Sequence, residues 1–483
     1  MTTQSAHAPS PVLVVARNQL RLMVRDNRLR LLAVAVVLLA VASLATGMAR
    51  VQAQAVERHA ATQEDKRLWD SLGPVNPHGA VHSGRSVYAP VAPLAAFEPG
   101  LSDFLGSSVK LEGHSQNPSR DRPMEGGSAI SRFAGFSAAW ALQVVAPLLI
   151  ILAGFTIFSG ERARERLKQE LGSGASARVL VFGRLIGLTT ASLTLLGAFV
   201  AAGILTLAIA NASMNEGLRL LAMSIGYGLY LLVFCSLTIG VSALFPSARA
   251  ALVSLLAFWA ASTLLIPRIA PAIAENLHPT PSAPAFEDAV SEEAKNGVSG
   301  HDPRDERLLA LKEKLLKQYN VTKVEDLPFN FEGVSLEFGE KNSSDTYNRH
   351  YDKLFGAYAN QTAVQQAFSV ISPNMAMTPW SRAFAGTDFA AHRLFLREAE
   401  DYRYELVQAL NNDITRNKPT DGGVAIYRTD VSEIADRVAF EPRITTPAEA
   451  WAAQKSNLLI LSIWAAVSLA FAAWAATRLE RTT

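Results

Sequence analysis

Cysteine is all but absent from these 483 residues: Cys235 stands alone, in the middle of an apolar run. No disulfide can form within the chain, so any folded part outside a membrane must hold together by packing. Nucleotide-binding and hydrolase signatures are missing too. There is no G-x-x-x-x-G-K-[ST] phosphate loop, and the nearest Gly-rich stretch, GSGASAR at 172–178, lacks the lysine. Neither H-E-x-x-H nor G-x-S-x-G occurs. The chain therefore offers no catalytic residue and no cofactor site, and it does not read as an enzyme. The nine histidines read as scattered, with no pair at ligand spacing, so no metal is expected. Charge is scarce as well, at 18% of residues, where a soluble domain carries about a quarter.

Apolar residues fill the gap. They make up 49% of the chain, and mean hydropathy is +0.15. They gather in six runs, near 31–48, 134–158, 179–210, 218–245, 248–267 and 457–476. At 1.5 Å per residue each run is about long enough to cross a hydrocarbon core of roughly 30 Å. The sequence thus predicts a mostly α, six-span membrane protein. Acidic residues are absent from the middle of every span, which disfavours proton-driven transport.

Charge is partitioned along the chain. Residues 273–455 carry 28 acidic and 20 basic groups, and residues 49–133 carry nine of each. The basic excess lies in short flanks: Arg17, Arg21, Arg25, Arg28 and Arg30, the loop at 159–178, Arg249, and Arg478 with Arg481. Short Lys/Arg-rich loops stay cytoplasmic. Both termini are therefore expected inside, with the two long segments outside. The expected order is an amphipathic interfacial segment 1–30 around Arg21, Arg25 and Arg28, a first span 31–48, an outer segment 49–133 and a second span 134–158. A cytoplasmic loop 159–178, spans three to five within 179–272, an outer domain 273–455, a sixth span 456–478 and a tail 479–483 follow. Arginines, an apolar run and AQA at 53–55 also resemble a signal peptide, but the run is long and thirty residues precede it, so cleavage is not expected.

The outer domain reads as mainly helical. One helix is expected from Asp302 as N-cap with Pro303 at the first position, a second over about 344–370, and a third after Gly386 ending near Asn411. A short strand is expected within 324–340. The latter half of 49–133, rich in Pro and Gly, reads as irregular. Pro267 and Pro271 suggest a broken or re-entrant helix at the end of the fifth span. Aromatics at helical spacing, such as Tyr351, Phe355 and Tyr358, read as core rather than ligand cage.

The segment GERARERLKQELG at 160–172 packs charge between two apolar runs, with Ala163, Leu167 and Leu171 on one face. Such a helix either anchors span ends by snorkelling its Arg and Lys or docks a cytoplasmic partner. The next span opens with Gly183 and Gly187 at G-x-x-x-G spacing, which packs helices within one chain or builds a subunit interface.

The order of these parts resembles the ABC-2 type permeases, the membrane subunits of exporters driven by a separate ATPase. Their loop between spans two and three carries an E-R-x-x-G-T-like segment, then a basic residue and a glycine. Glu161, Arg162, Leu171, Arg178, Gly183 and Arg184 stand in the matching places, with Ala163 and Arg164 where the family has Gly-Thr. The stretch 372–413 looks like the outer domain of a bacterial subgroup with large extracytoplasmic loops. The resemblance implies a multi-pass protein of a bacterial inner membrane, with ATP bound by a partner subunit. It implies a coupling helix of Glu161, Arg162, Arg164, Glu165, Leu167, Lys168 and Leu171. Its partners would be a cytoplasmic ABC ATPase, a second permease chain meeting it at Gly183 and Gly187, membrane lipid and an envelope protein, with no nucleic acid. A membrane-anchored binding or sensing protein without an ATPase is the competing reading.

Overall fold

Asp26 splits the N-terminal region into two helices, α1 (Pro11–Arg25) and α2 (Asn27–Asp70). Its carboxylate accepts the Arg28 amide at 2.9 Å and so caps α2 at the corner. The computed structural model describes residues 10–126, 136–298, 300–417 and 427–481. The expected span and tail residues 134–135 and 482–483 lie outside these. The chain is mostly helical. Among the described residues, five helices are long and apolar enough to cross a membrane: α2, then α6 (Ala177–Ile209), α7 (Met214–Leu244), α8 (Ala248–Leu277) and α14 (Pro447–Arg481). α2 runs unbroken from its apolar half into its polar half, through Ala53 to Ala55. The run expected as a second span forms a shorter apolar helix, α4 (Ala138–Gly154).

Two helices widen into a π-turn, and each turn lies just ahead of a proline. Ala141–Val145 precedes Pro147 in α4, and Ala261–Leu265 precedes Pro267 in α8. A proline ring has no N–H and clashes with the carbonyl four residues back, and the wider turn relieves both problems. α8 therefore continues through Pro267 and Pro271 to Leu277, and the expected break or re-entrant stretch does not form.

α7 is the centre of the bundle. Its apolar window is 61% buried, against 22–33% for the other four long helices, because α6, α14 and α4 pack around it. At one end it also meets a short helix, α12 (Pro373–Ala385).

The two polar segments share a core and together form the head. Trp69, Val81, Val87, Val109 and Leu111 from the first pack with Phe395, Leu406, Leu410 and Val431 from the second. The first segment is more ordered than its Pro/Gly content suggests. After the β1 pair-strand (Pro74–Val75) and α3 (Pro77–Ser83), β2 (Arg85–Tyr88), β3 (Ser108–Glu112) and β4 (Ser115–Gln116) form an antiparallel sheet in the order β2-β3-β4. β1 instead pairs with β5 (Thr429–Asp430) across the two segments.

The second segment contributes α9 (Ala283–Lys295), α10 (Glu306–Gln318), α11 (Phe331–Ala367), α12 and α13 (Phe389–Arg416). Asp305, not Asp302, caps α10, accepting the Arg307 amide at 2.9 Å. The strand expected within 324–340 is instead a 3₁₀ turn at Val324–Asp326 followed by the start of α11, capped by Asn330. α13 starts at the Asp388 cap and runs past Asn411 to Arg416. The aromatic stripe, expected as core, is only half-buried: Tyr351 stacks on Phe355, and Phe355 and Tyr358 of α11 meet the Phe389 ring of α13 edge-on, along the wall of a cavity of about 220 Å³.

Candidate functional site

The charged segment forms a twelve-residue helix, α5 (Glu161–Gly172). Gly160 turns the chain into it with φ 91°, and its amide donates to the Pro246 carbonyl at 2.8 Å, at the α7–α8 turn. One face is buried: Ala163 and Leu167 are enclosed, and Leu171 packs against the bundle core. On that face Arg164 donates to the Ala243 carbonyl of α7 at 3.0 Å. Glu170 takes both its bonds from Arg184 of α6, at 2.6 and 2.7 Å. The Arg184 guanidinium is itself buried, 4.5 Å above the Phe158 ring. Both bonds come from the one Nη2 atom, and Glu170 stays partly exposed while Arg184 is enclosed, so the pair is half-buried. The other face exposes Glu161, Arg162, Glu165, Arg166 and Lys168. The sequence-chosen set thus divides. Glu161, Arg162, Glu165 and Lys168 face out, while Arg164, Leu167 and Leu171 hold the helix down.

Gly183 and Gly187 lie within the chain's own packing. A Cβ at Gly183 would fall 2.6 Å from the Val15 side chain, and one at Gly187 would fall 2.9 Å from that of Gln19. Their face is therefore filled by α1 and is not left for a second copy. α1 buries Ala16 and Gln19 there and keeps Arg21 and Arg25 exposed, as is Arg28 at the start of α2. α1 and α5 are both mounted on the first turns of α6.

A polar seam links the bundle to the head through α12. The Gln143 amide donates to Glu98 at 3.1 Å and to the Tyr227 hydroxyl at 3.0 Å, and that hydroxyl meets Ser381 of α12 at 2.8 Å. Trp380 donates to the Ala222 carbonyl at 2.9 Å. The Arg219 guanidinium reaches the carbonyls of Ala383 and Phe384 at the end of α12.

A second constellation lies in the head. His78, His82, His114 and His301 bring one ring nitrogen each to within 4.8 Å of all the others. Their scatter along the chain hides this, but HGAVH at 78–82 does hold an i, i+4 pair, a spacing that puts both rings on one face of a helix. α3 is capped by Asn76, whose side chain accepts the Gly79 amide at 3.0 Å. His114 occupies the β3–β4 turn with φ 63°, a conformation uncommon for a residue with a side chain. Gly113 lets that turn approach α3, since a Cβ there would fall 2.3 Å from Val81. Gly300, with φ 79°, sets His301 against α11, where its carbonyl accepts the Ser335 hydroxyl at 2.7 Å. Burial pushes the His78 imidazole down to about 4, so it is neutral near neutral pH.

A family model described as a domain of unknown function (DUF3526) matches residues 284–435, which span α9 to α13 and include His301. No curated protein matches the chain.

Proposed function

We propose that this chain is the membrane subunit of an ATP-driven ABC-2 type complex. It would sit in a bacterial inner membrane with both termini in the cytoplasm, α4 as a sixth span, and the head outside. A separate ATPase would supply ATP binding and hydrolysis. A second permease chain, identical or related, would complete the complex, which either exports a substrate or moves the head.

One observation carries the reading: α5 is clamped to two long helices and charged on the side away from them. Glu161, Arg162, Glu165 and Lys168 are available for docking, while Glu170–Arg184 and Arg164–Ala243 would pass a push on α5 to α6 and α7. A simple membrane anchor needs no such clamp. Two packed positions of these helices, biased by nucleotide, would be the switch.

The test is purification of the tagged chain from its native membrane under mild detergent. An ATPase in equal amount is expected, and it is lost in the E161A/E165A/K168A variant while the chain stays folded. Recovery of the chain with no ATPase, or with only an envelope protein, overturns the reading in favour of a membrane-anchored sensor.

A further inference from the structure

We infer that His78, His82, His114 and His301 form a site for one divalent transition-metal ion of the zinc class, which clamps the first polar segment of the head to the second. The inference rests on the head alone and is independent of any ATPase.

Spacing is the first ground. His78 Nε2 and His82 Nε2 lie 3.2 Å apart, and so do His114 Nε2 and His301 Nε2. Zinc–nitrogen bonds of 2.0–2.1 Å in a tetrahedron place neighbouring nitrogens about 3.3–3.4 Å apart. Both pairs therefore already sit close to an edge of that tetrahedron. Ring centroids are 4.8–6.3 Å apart and mutually tilted or edge-on, so the rings converge on a point and do not stack.

The outer partners give the second ground. A metal-binding imidazole is normally oriented through its other nitrogen by a carboxylate or a carbonyl-type oxygen. His78 Nδ1 is 3.2 Å from the Asn411 side-chain oxygen, leaving Nε2 for the centre. His114 Nδ1 is 3.1 Å from Glu340 Oε2, an oxygen that also accepts the His114 amide at 2.9 Å. Glu340 is fully buried and is held in turn by Arg403.

Backbone strain is the third. Left-handed conformations persist in folded proteins when the surroundings dictate them, and they gather at ligand clamps. The His114 turn is of this type; Gly300, for which a positive φ carries no strain, turns the chain that delivers His301.

Chemistry then narrows the occupant. Four imidazoles without thiolate or carboxylate suit zinc, copper or nickel rather than calcium or magnesium. With all four positions taken by protein, the ion holds structure and has no open position for hydrolysis. His82 and His301 are exposed, which gives the ion its route in. Three ligands come from 78–114 and the fourth from the DUF3526-matched segment, so the bound ion ties the two together.

The experiment uses the full chain in detergent, with any polyhistidine tag removed, stripped with chelator and titrated with Co²⁺ and then Zn²⁺. One ion per chain is expected, with the visible absorption of tetrahedral cobalt, displaced by zinc. The H82A/H301A variant changes two exposed side chains and keeps the fold, which circular dichroism checks. It should lose that spectrum and bind at least about a hundredfold more weakly. Asn411→Ala keeps all four ligands and should weaken binding by about 10–100-fold at unchanged stoichiometry. In the wild type, chelator should raise hydrogen exchange at 296–306, an effect absent from H82A/H301A. Equal metal uptake by wild type and folded H82A/H301A overturns the inference, as does a wild type that binds no ion.

Discussion

At the scale of single residues, the head stores buried charge and buried neutrality in different places. His392 of α13 sits beside a cavity of about 740 Å³, with Ser119 Oγ 3.3 Å from its Nε2. Burial pushes its imidazole down to about 4, from an ordinary 6.5. Between those values the unfolded chain binds a proton that the folded chain refuses. This contribution is fully present above pH 6.5 and is lost as pH falls toward 4, at up to about 1.4 kcal/mol per unit. Thermal unfolding of the chain in chelator from pH 7 to 4 should show that slope, and His392→Gln should flatten it by one proton's worth. Arg403 is the opposite case. It is 2% exposed and bonds Glu340, Glu400 and Ser344 at once. Arg403→Met leaves two carboxylates buried without their partner, a loss of about 3–5 kcal/mol. The head transition in scanning fluorimetry should fall accordingly, whereas Glu400→Gln, which keeps the Arg403 contact to Glu340, should cost less.

At the scale of elements, hydropathy was readable, caps only in part, since Asp302 lies three residues ahead of the true cap of α10, and contacts between distant segments were not. The apolar runs, the inward face of α5 and a helix starting just after Gly386 all follow from local periodicity and capping. The three-stranded sheet escaped notice because its strands are short and sit among turn residues, with pairing set by a shared core with α13. The start of α11 escaped for a related reason: FNFEGVSLEFGE alternates like a strand, and burial against α13 at Gly333 makes it helix. The histidine cluster joins residues up to 223 positions apart, so only its HGAVH pair left a local trace. The same physics decides what Gly183 and Gly187 do. The glycines admit the α1 backbone, with the Ala16 carbonyl 3.0 Å from where a Gly187 Cβ would stand. Gly187→Leu should therefore lift α1 from α6. A disulfide engineered between the two helices should form readily in an otherwise wild-type chain and poorly in this variant, while the Arg184–Glu170 clamp of α5 is unaffected.

At the scale of the molecule, the question is how a bundle and a head built from separate stretches of chain are joined. α12 is the answer the packing gives. It lies against α7 and α14, and the chain leaves it through Gly386 directly into α13, the helix at the centre of the head core. Trp380 is its anchor: fully buried, hydrogen-bonded to the Ala222 carbonyl, and seated on Gly226, where a Cβ would fall 2.5 Å from the indole. Removing a buried Trp side chain costs about 3–5 kcal/mol. Trp380→Ala should therefore raise hydrogen exchange throughout 373–385 and in the part of α7 around Ala222. Exchange in the α5–α6 clamp and the stoichiometry of metal in the head should stay unchanged, because both lie outside this contact. If the proposed ATPase complex forms and α12 is its main stiff link, nucleotide added to that complex should alter exchange in the head of the wild type and leave the Trp380→Ala head unchanged, with ATP hydrolysis retained. A head that still responds in that variant would show that α2, which is continuous from bundle to head, carries the motion by itself.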